Sequence, residues 1–217
     1  MHANLHVNRF VAAVPACNMT RVARKYSMET RDEEAALRRR HLMAAAVEVL
    51  GEVGAGRLTM DMVATRADAA TRTVYNHFGS RQELLAAVYA DLARTNRVIL
   101  QQVIAETGEP AERLRQFATQ MYDIYEERGA AFTTLIELDE PSIQAQLRDM
   151  RTWRRERLTQ ILRSANQTLR LPLKQAAGFA FVTTNHATWR ALREEAGLTQ
   201  RQAIDTATTV LNTALFD

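Results

Sequence analysis

ATRTVYNHF, residues 70–78, sets Thr71, Arg72, Thr73, Tyr75, Asn76 and His77 around a single Val74 and a single Phe78. Val74 and Phe78 stand four apart, so on a helix they share one side and can anchor it to a core. Thr71, Arg72, Thr73, Asn76 and His77 then face outward. Tyr75 can pack its ring and offer its hydroxyl to a phosphate. An outward face of donors with no acidic residue suits a polyanion, because phosphates need cations and hydroxyls while base edges need donors and acceptors at fixed positions.

The flanks place this element. Upstream, Thr59 can cap a short helix whose apolar stripe is Met60, Val63, Ala64 and Ala67. Before that, Thr30 with Glu33 reads as a capping box that opens a helix over 31–53, with Leu42, Ala46, Val49, Leu50 and Val53 on one face and Gly54 as the stop. Downstream, Ser80 and Glu83 form a second capping box and open a helix over 81–106. Helices over 59–67 and 71–78, joined by about three residues, have helix-turn-helix spacing, in which the second member presents its N-terminal half to the major groove.

The rest of the chain is helical by the same punctuation. Gly108 and Pro110 separate a helix that carries Leu114, Phe117, Met121 and Tyr125 and stops at Gly129, followed by a short apolar piece over 130–138. Pro141 opens a helix to about 168, Pro172 opens one over 173–196 ending at Gly197, and Thr199 with Gln202 caps the last. Strand alternation is absent, and the expectation is an all-α fold of about nine helices.

Composition agrees. Of 217 residues 47% are hydrophobic, enough for one sizeable core or two small ones, while only 8 Gly and 4 Pro interrupt them. The net charge is +3, too mild to argue for a nucleic acid alone, but residues 1–31 and 150–217 are basic and 96–149 lean acidic. Cys17 is the one cysteine, which excludes an internal disulfide framework and a multi-cysteine zinc site and suits a reducing cytoplasm. No apolar run is long enough to span a membrane, and "FVAAVPAC" lacks the charged cluster that leads a secretory signal. The expected organisation is a disordered basic tail over 1–29, a DNA-binding domain over 30–90 and a larger helical domain over 91–217. Met19 and Met28 offer alternative starts.

The stretch AAAVEVLGEVG, then LTMDMVATRADAATRTVYNHFGSRQELLAAV, resembles the N-terminal DNA-binding domain of TetR-family transcriptional repressors from Leu42 to Val88. Its most specific part is TVYNHF followed by GSRQELL. The resemblance implies that Thr59 meets a phosphate, that Thr71 and Arg72 read bases, and that Thr73, Tyr75 and His77 touch backbone or thymine methyl groups. It also implies a phosphate contact for Arg81. The turn departs from the family's usual Ala-Gly-Val-Ser: here it is Ala67-Asp68-Ala69-Ala70. Asp68 tolerates a left-handed backbone. Ala70 lacks the customary capping side chain, at a cost of about 1 kcal/mol unless Thr71 takes the role. The competing readings are a packed His77, a solvated Arg72 and a Tyr75 that is mainly core.

Residues 96–217 carry no motif of that strength. In TetR-like regulators this region holds a small-molecule pocket and a dimer surface. The polar-aromatic set for a pocket is Tyr122, Tyr125, Phe132, Trp153, Asn185, His186 and Trp189, with plain core packing as the alternative for each. The set for a dimer interface is Phe181, Ile204, Ala207, Leu211 and Leu215. Arg151, Arg154, Arg155 and Arg157 spread around one helix and read as solvated surface.

These features point to a ligand-responsive, DNA-binding transcriptional regulator: a cytoplasmic homodimer released as a repressor from a palindromic operator by a small-molecule effector. The alternative is a helical DNA-binding regulator or adaptor without such a ligand. An enzyme would need a convergent cluster of catalytic or metal-ligating groups, and His2, His6, His41, His77 and His186 are scattered. No cofactor, metal or catalytic residue is expected.

Overall fold

The computed structural model describes residues 17–105, 108–165 and 167–216. The chain divides into two compact units, residues 1–41 and 42–217. The helices are α1 (Cys17–Val53), α2 (Met60–Arg66), α3 (Thr71–Phe78), α4 (Arg81–Ala105), α5 (Pro110–Ile136), α6 (Pro141–Arg163), α7 (Leu173–Thr183), α8 (His186–Arg190), a π-helical turn (Ala191–Glu195) and α9 (Gln200–Leu215). Among the described residues there is no strand, only an isolated bridge between Leu169 and Phe216.

In the first unit the described residues are helical from Cys17, and residues 31–38 are exposed. Thr30 therefore lies inside α1 and opens nothing, and residues 17–29 are helical where a disordered tail was expected. The remainder of that tail lies outside the described residues.

The second unit begins with the helix-turn-helix. Thr59 caps α2, its hydroxyl accepting from the Met62 N–H at 3.2 Å. Arg66 ties α2 to α1 through Glu48 at 3.0 Å and Glu52 at 2.6 Å. The turn bends at Asp68, whose φ of 47° is left-handed as its side chain permits. Ala70 contributes no capping side chain, and α3 ends at Gly79 with φ 71°. An eight-residue helix without a cap is unstable alone. Val74 and Phe78, 0% and 4% exposed, each contribute about 1.5–3 kcal/mol of burial, which outweighs the missing cap at about 1 kcal/mol. Their core includes Leu42, Leu50 and Val63, and α4 adds Leu84, Leu85 and Tyr89. It also takes in Ala131 and Leu135 from α5 and Ile143 and Leu147 from α6.

A second core joins Leu114, Phe117, Met121 and Tyr125 of α5 to Leu158 and Ile161 of α6, Ala176 and Ala180 of α7, and Leu211 and Leu215 of α9. The capping box at Thr199 and Gln202 is complete. Ser80 accepts from the Glu83 N–H at 3.2 Å, but its own N–H goes to the Phe78 carbonyl at 2.7 Å, so only half of that box forms.

Two helix boundaries differ from expectation. Gly129 does not stop α5, which continues to Ile136; the glycine sits beneath Trp189, where a Cβ would come within 2.9 Å of the indole. The single helix expected over 173–196 breaks after Thr183. The carbonyls released there are taken by side chains: Tyr122 donates to Thr183 O at 2.8 Å and Arg154 to Thr184 O at 2.6 Å. Asn185 then caps α8 by accepting from the Thr188 N–H at 2.8 Å.

Candidate nucleic-acid interface and cavity

Helix α3 opens part of the expected outward face. Arg72 and Asn76 are exposed, Tyr75 is 49% exposed, and Thr71, Thr73 and His77 are half-buried. The His77 ring leans on Phe78 with centroids 6.4 Å apart. Thr71 does not cap its helix; its hydroxyl donates to Asp61 on α2 at 2.6 Å. That bond fixes the N-terminus of α3 against α2 and leaves the Thr71 oxygen as an acceptor. Thr59 stays exposed at the start of α2.

Arg81 takes a different position. Its Nε donates to Leu58 O at 2.8 Å and its Nη2 to Ala55 O. The guanidinium fastens the start of α4 to the segment between α1 and α2, so much of its donor capacity is spent inside the protein.

A cavity of about 500 Å³ lies farther along the same unit. Four of the seven expected pocket residues line it: Tyr125, Phe132, Asn185 and His186. Tyr122, Trp153 and Trp189 do not. Tyr122 is buried with its hydroxyl on the Thr183 carbonyl, Trp153 has the guanidinium groups of Arg97 and Arg157 over its ring at 5.3 and 5.6 Å, and Trp189 packs behind His186 with centroids 5.3 Å apart. Reasoning from sequence missed Tyr89, Leu147 and Arg154 on the cavity wall. Arg154 is 7% exposed, not solvated. Its signal was its place among Leu147, Leu158 and Ile161 on the buried stripe of α6.

Burial and the neighbouring Arg190 push the His186 pKa down to about 4, so the ring is neutral near pH 7. The Thr133 hydroxyl donates to Gly129 O at 2.7 Å and meets His186 Nε2 at 2.9 Å. With its own proton given to Gly129, that hydroxyl accepts from Nε2–H, which sets the tautomer. Glu137 pairs with Arg190 at 3.1 Å beside the cavity.

The expected dimer set is divided. Ala207, Leu211 and Leu215 are 2%, 0% and 0% exposed within the single chain. They are spent on its own core and cannot form an interface. Phe181 lines the cavity, with Arg154 and Arg155 over its ring at 5.1 and 5.2 Å. Ile204 remains half-buried. Gly178, with open space where a Cβ would stand, and Val182, 55% exposed, mark an outer face of α7, and Val210, 45% exposed, one of α9. Among the described residues no group of three His, Cys, Asp or Glu side chains could hold a metal, and no helix is long and apolar enough to cross a membrane.

Residues 42–88 match the family described as bacterial regulatory proteins, tetR family. An uncharacterized HTH-type transcriptional regulator of Mycobacterium tuberculosis is 34% identical over 84 residues, which span 39% of this chain and 38% of that protein. The HTH-type transcriptional activator FasR of Mycolicibacterium smegmatis is 31% identical over 114 residues, covering 51% of this chain and 52% of the relative. The match thus spans about half or less of each relative's own length. Among solved structures, the transcriptional regulator FadR from Bacillus subtilis, in complex with stearoyl-CoA, superposes with a TM-score of 0.68 at 15% identity, over 80% of this chain and 97% of that one; at that identity the likeness is one of fold. The helix-turn-helix thus coincides with the segment, residues 42–88, that matches the tetR family of bacterial regulatory proteins, and the likeness beyond that segment is one of all-α fold.

Proposed function

We propose that this chain is a ligand-responsive, DNA-binding transcriptional regulator that acts as a symmetric homodimer. In its simplest form it is a repressor that leaves a palindromic operator when a small molecule occupies the cavity. The observation that carries this reading is a shared wall. Tyr89 and Leu147 belong to the core that buries Val74 and Phe78, Phe132 and Ile136 pack against that core, and all four line the cavity. An occupant that moves these side chains must also move the support of α3. Binding and release are then one equilibrium, biased by whatever differential affinity the occupant has for the two arrangements.

A dimer follows from the recognition geometry, because two α3 helices must enter major grooves about 34 Å apart. The outer face of α7 marked by Gly178 and the exposed Val182, with Val210 of α9, is the surface this reading assigns to the partner copy.

Mobility shift and footprinting on the DNA flanking the gene test the proposal. Arg72→Ala is expected to weaken operator binding by about 1–3 kcal/mol, roughly fivefold to 150-fold, with unchanged thermal stability because Arg72 is exposed. Equal affinity of wild type and variant for every site tried would remove α3 from the interface. The relative named as an activator favours one second reading, in which operator occupancy raises transcription; a reporter fused to the operator gives the sign directly.

A further inference from the structure

We propose that the cavity is a binding site for an organic monocarboxylate, an anion with an apolar body, whose carboxylate is held by Arg154 and Tyr89. The proposal rests on the reading above that this cavity holds the effector, and it adds the chemical class.

The argument starts from a charge without a counterion. Arg154 is 7% exposed, and a guanidinium cannot lose its proton. Its Nη1 donates to the Tyr125 hydroxyl at 3.1 Å, and its Nη2 to Thr184 O at 2.6 Å and Thr184 Oγ1 at 3.2 Å. Every one of these acceptors is neutral. Among the described residues no carboxylate forms an ion pair with Arg154, and its Nε has no hydrogen-bond partner. A buried, uncompensated cation is costly, and an anion brought beside it relieves that cost.

A second orphan lines the same cavity. The Tyr89 side chain is 0% exposed and its hydroxyl has no partner. Burial raises its pKa to about 12, so the phenol stays protonated and able to donate. Two unmet donors, one cationic and one neutral, match the acceptor capacity of a single carboxylate. Much of the remaining wall is apolar: Phe132, Ile136, Leu147 and Met150. The one acidic residue of the lining, Glu137, is already engaged with Arg190, and Arg151 adds another positive charge.

The same accounting disfavours two other anions. A phosphate would bring more oxygens than these donors can satisfy and leave the rest against apolar carbon. An acyl-CoA thioester carries its charges far from a neutral acyl chain, so the chain could fill the cavity and still leave Arg154 uncompensated.

Calorimetric titration of the full chain tests the assignment with matched probes: dodecanoate below its micellar range, methyl dodecanoate, dodecanol and dodecanoyl-CoA, and the aromatic pair phenylbutyrate and phenylbutanol. In at least one pair the acid is expected to bind about tenfold or more tighter than its neutral partner. Arg154→Met should abolish that preference. Tyr89→Phe should reduce it while folding normally, since the hydroxyl it removes has no partner; should Arg154→Met fail to fold, Tyr89→Phe carries the test. Equal affinity for acids and neutral partners, tighter binding of dodecanoyl-CoA than of dodecanoate, a preference untouched by both variants, or no binding of any probe would each overturn the assignment. A parallel mobility shift keeps the two proposals apart. Operator binding without a carboxylate preference overturns this site and leaves the regulator standing, whereas a carboxylate preference without operator binding supports the site and removes the regulator.

Discussion

The indole of Trp189 lies against the backbone of Gly129 so closely that a Cβ there would stand 2.9 Å from Cη2 and 3.5 Å from Cζ3. The glycine is thus a packing device in the middle of α5. It lets Trp189 sit behind His186, and His186 in turn forms part of the cavity wall. Gly129→Ala gains about 0.5–1 kcal/mol of helix propensity, but it drives a methyl into a packed ring at a typical overpacking cost of about 1–3 kcal/mol. The expected net result is a lower urea midpoint and altered tryptophan fluorescence. An unchanged or higher midpoint would mean that Trp189 moves aside freely.

Arg81 separates a structural role from a phosphate contact. Its side chain caps carbonyls at Leu58 and Ala55, so Arg81→Ala should lower stability by about 1–3 kcal/mol by leaving buried acceptors unmet. Operator affinity should fall through loosening of α4 against the α1–α2 segment. The slope of log affinity against log salt should stay the same, since a lost phosphate contact would reduce it by about 1. A reduced slope at unchanged stability would restore Arg81 to the DNA surface.

The outer face of α7 gives a test of assembly. Val182 is 55% exposed and lies one turn from Gly178, where nothing stands in the way of a Cβ. Val182→Arg should leave the melting curve of the dilute protein intact but convert the proposed dimer to monomer in sedimentation. Operator binding should weaken about tenfold or more, because two linked half-site contacts become separate ones. A variant that remains dimeric would move the interface elsewhere.

His186 ties stability to pH. Its folded pKa of about 4 lies below the value of 6.5 for an unperturbed histidine. Between those values the unfolded state binds more protons, so stability rises with pH across that window and is lost as pH falls from 6.5 toward 4. The loss due to this one group is at most about 3 kcal/mol. His186→Gln should flatten that part of the profile, read as the difference between the urea midpoints of wild type and variant at pH 7 and pH 4.5. Parallel profiles would show that His186 is protonated without penalty.

By itself, the sequence determined what depends on neighbours a few residues apart. The short α3 with Val74 and Phe78 beneath it, the left-handed Asp68 in the turn, the Thr59 cap and the Thr199–Gln202 box are all set by local spacing and local hydrogen bonds. Tertiary structure decided what depends on a partner distant in the chain. Gly129 is a stop signal by composition and a close-packing site only because Trp189 meets it. The break after Thr183 exists because Tyr122 and Arg154 donate to the carbonyls that a continuing helix would have used. The stripe Ala207, Leu211 and Leu215 has the same period whether it faces its own core or a second chain, and only packing against the second core resolved it. Arg154 follows the same rule: periodicity places it on a face, but burial, and the charge it leaves unmet, come from the helices that close around it.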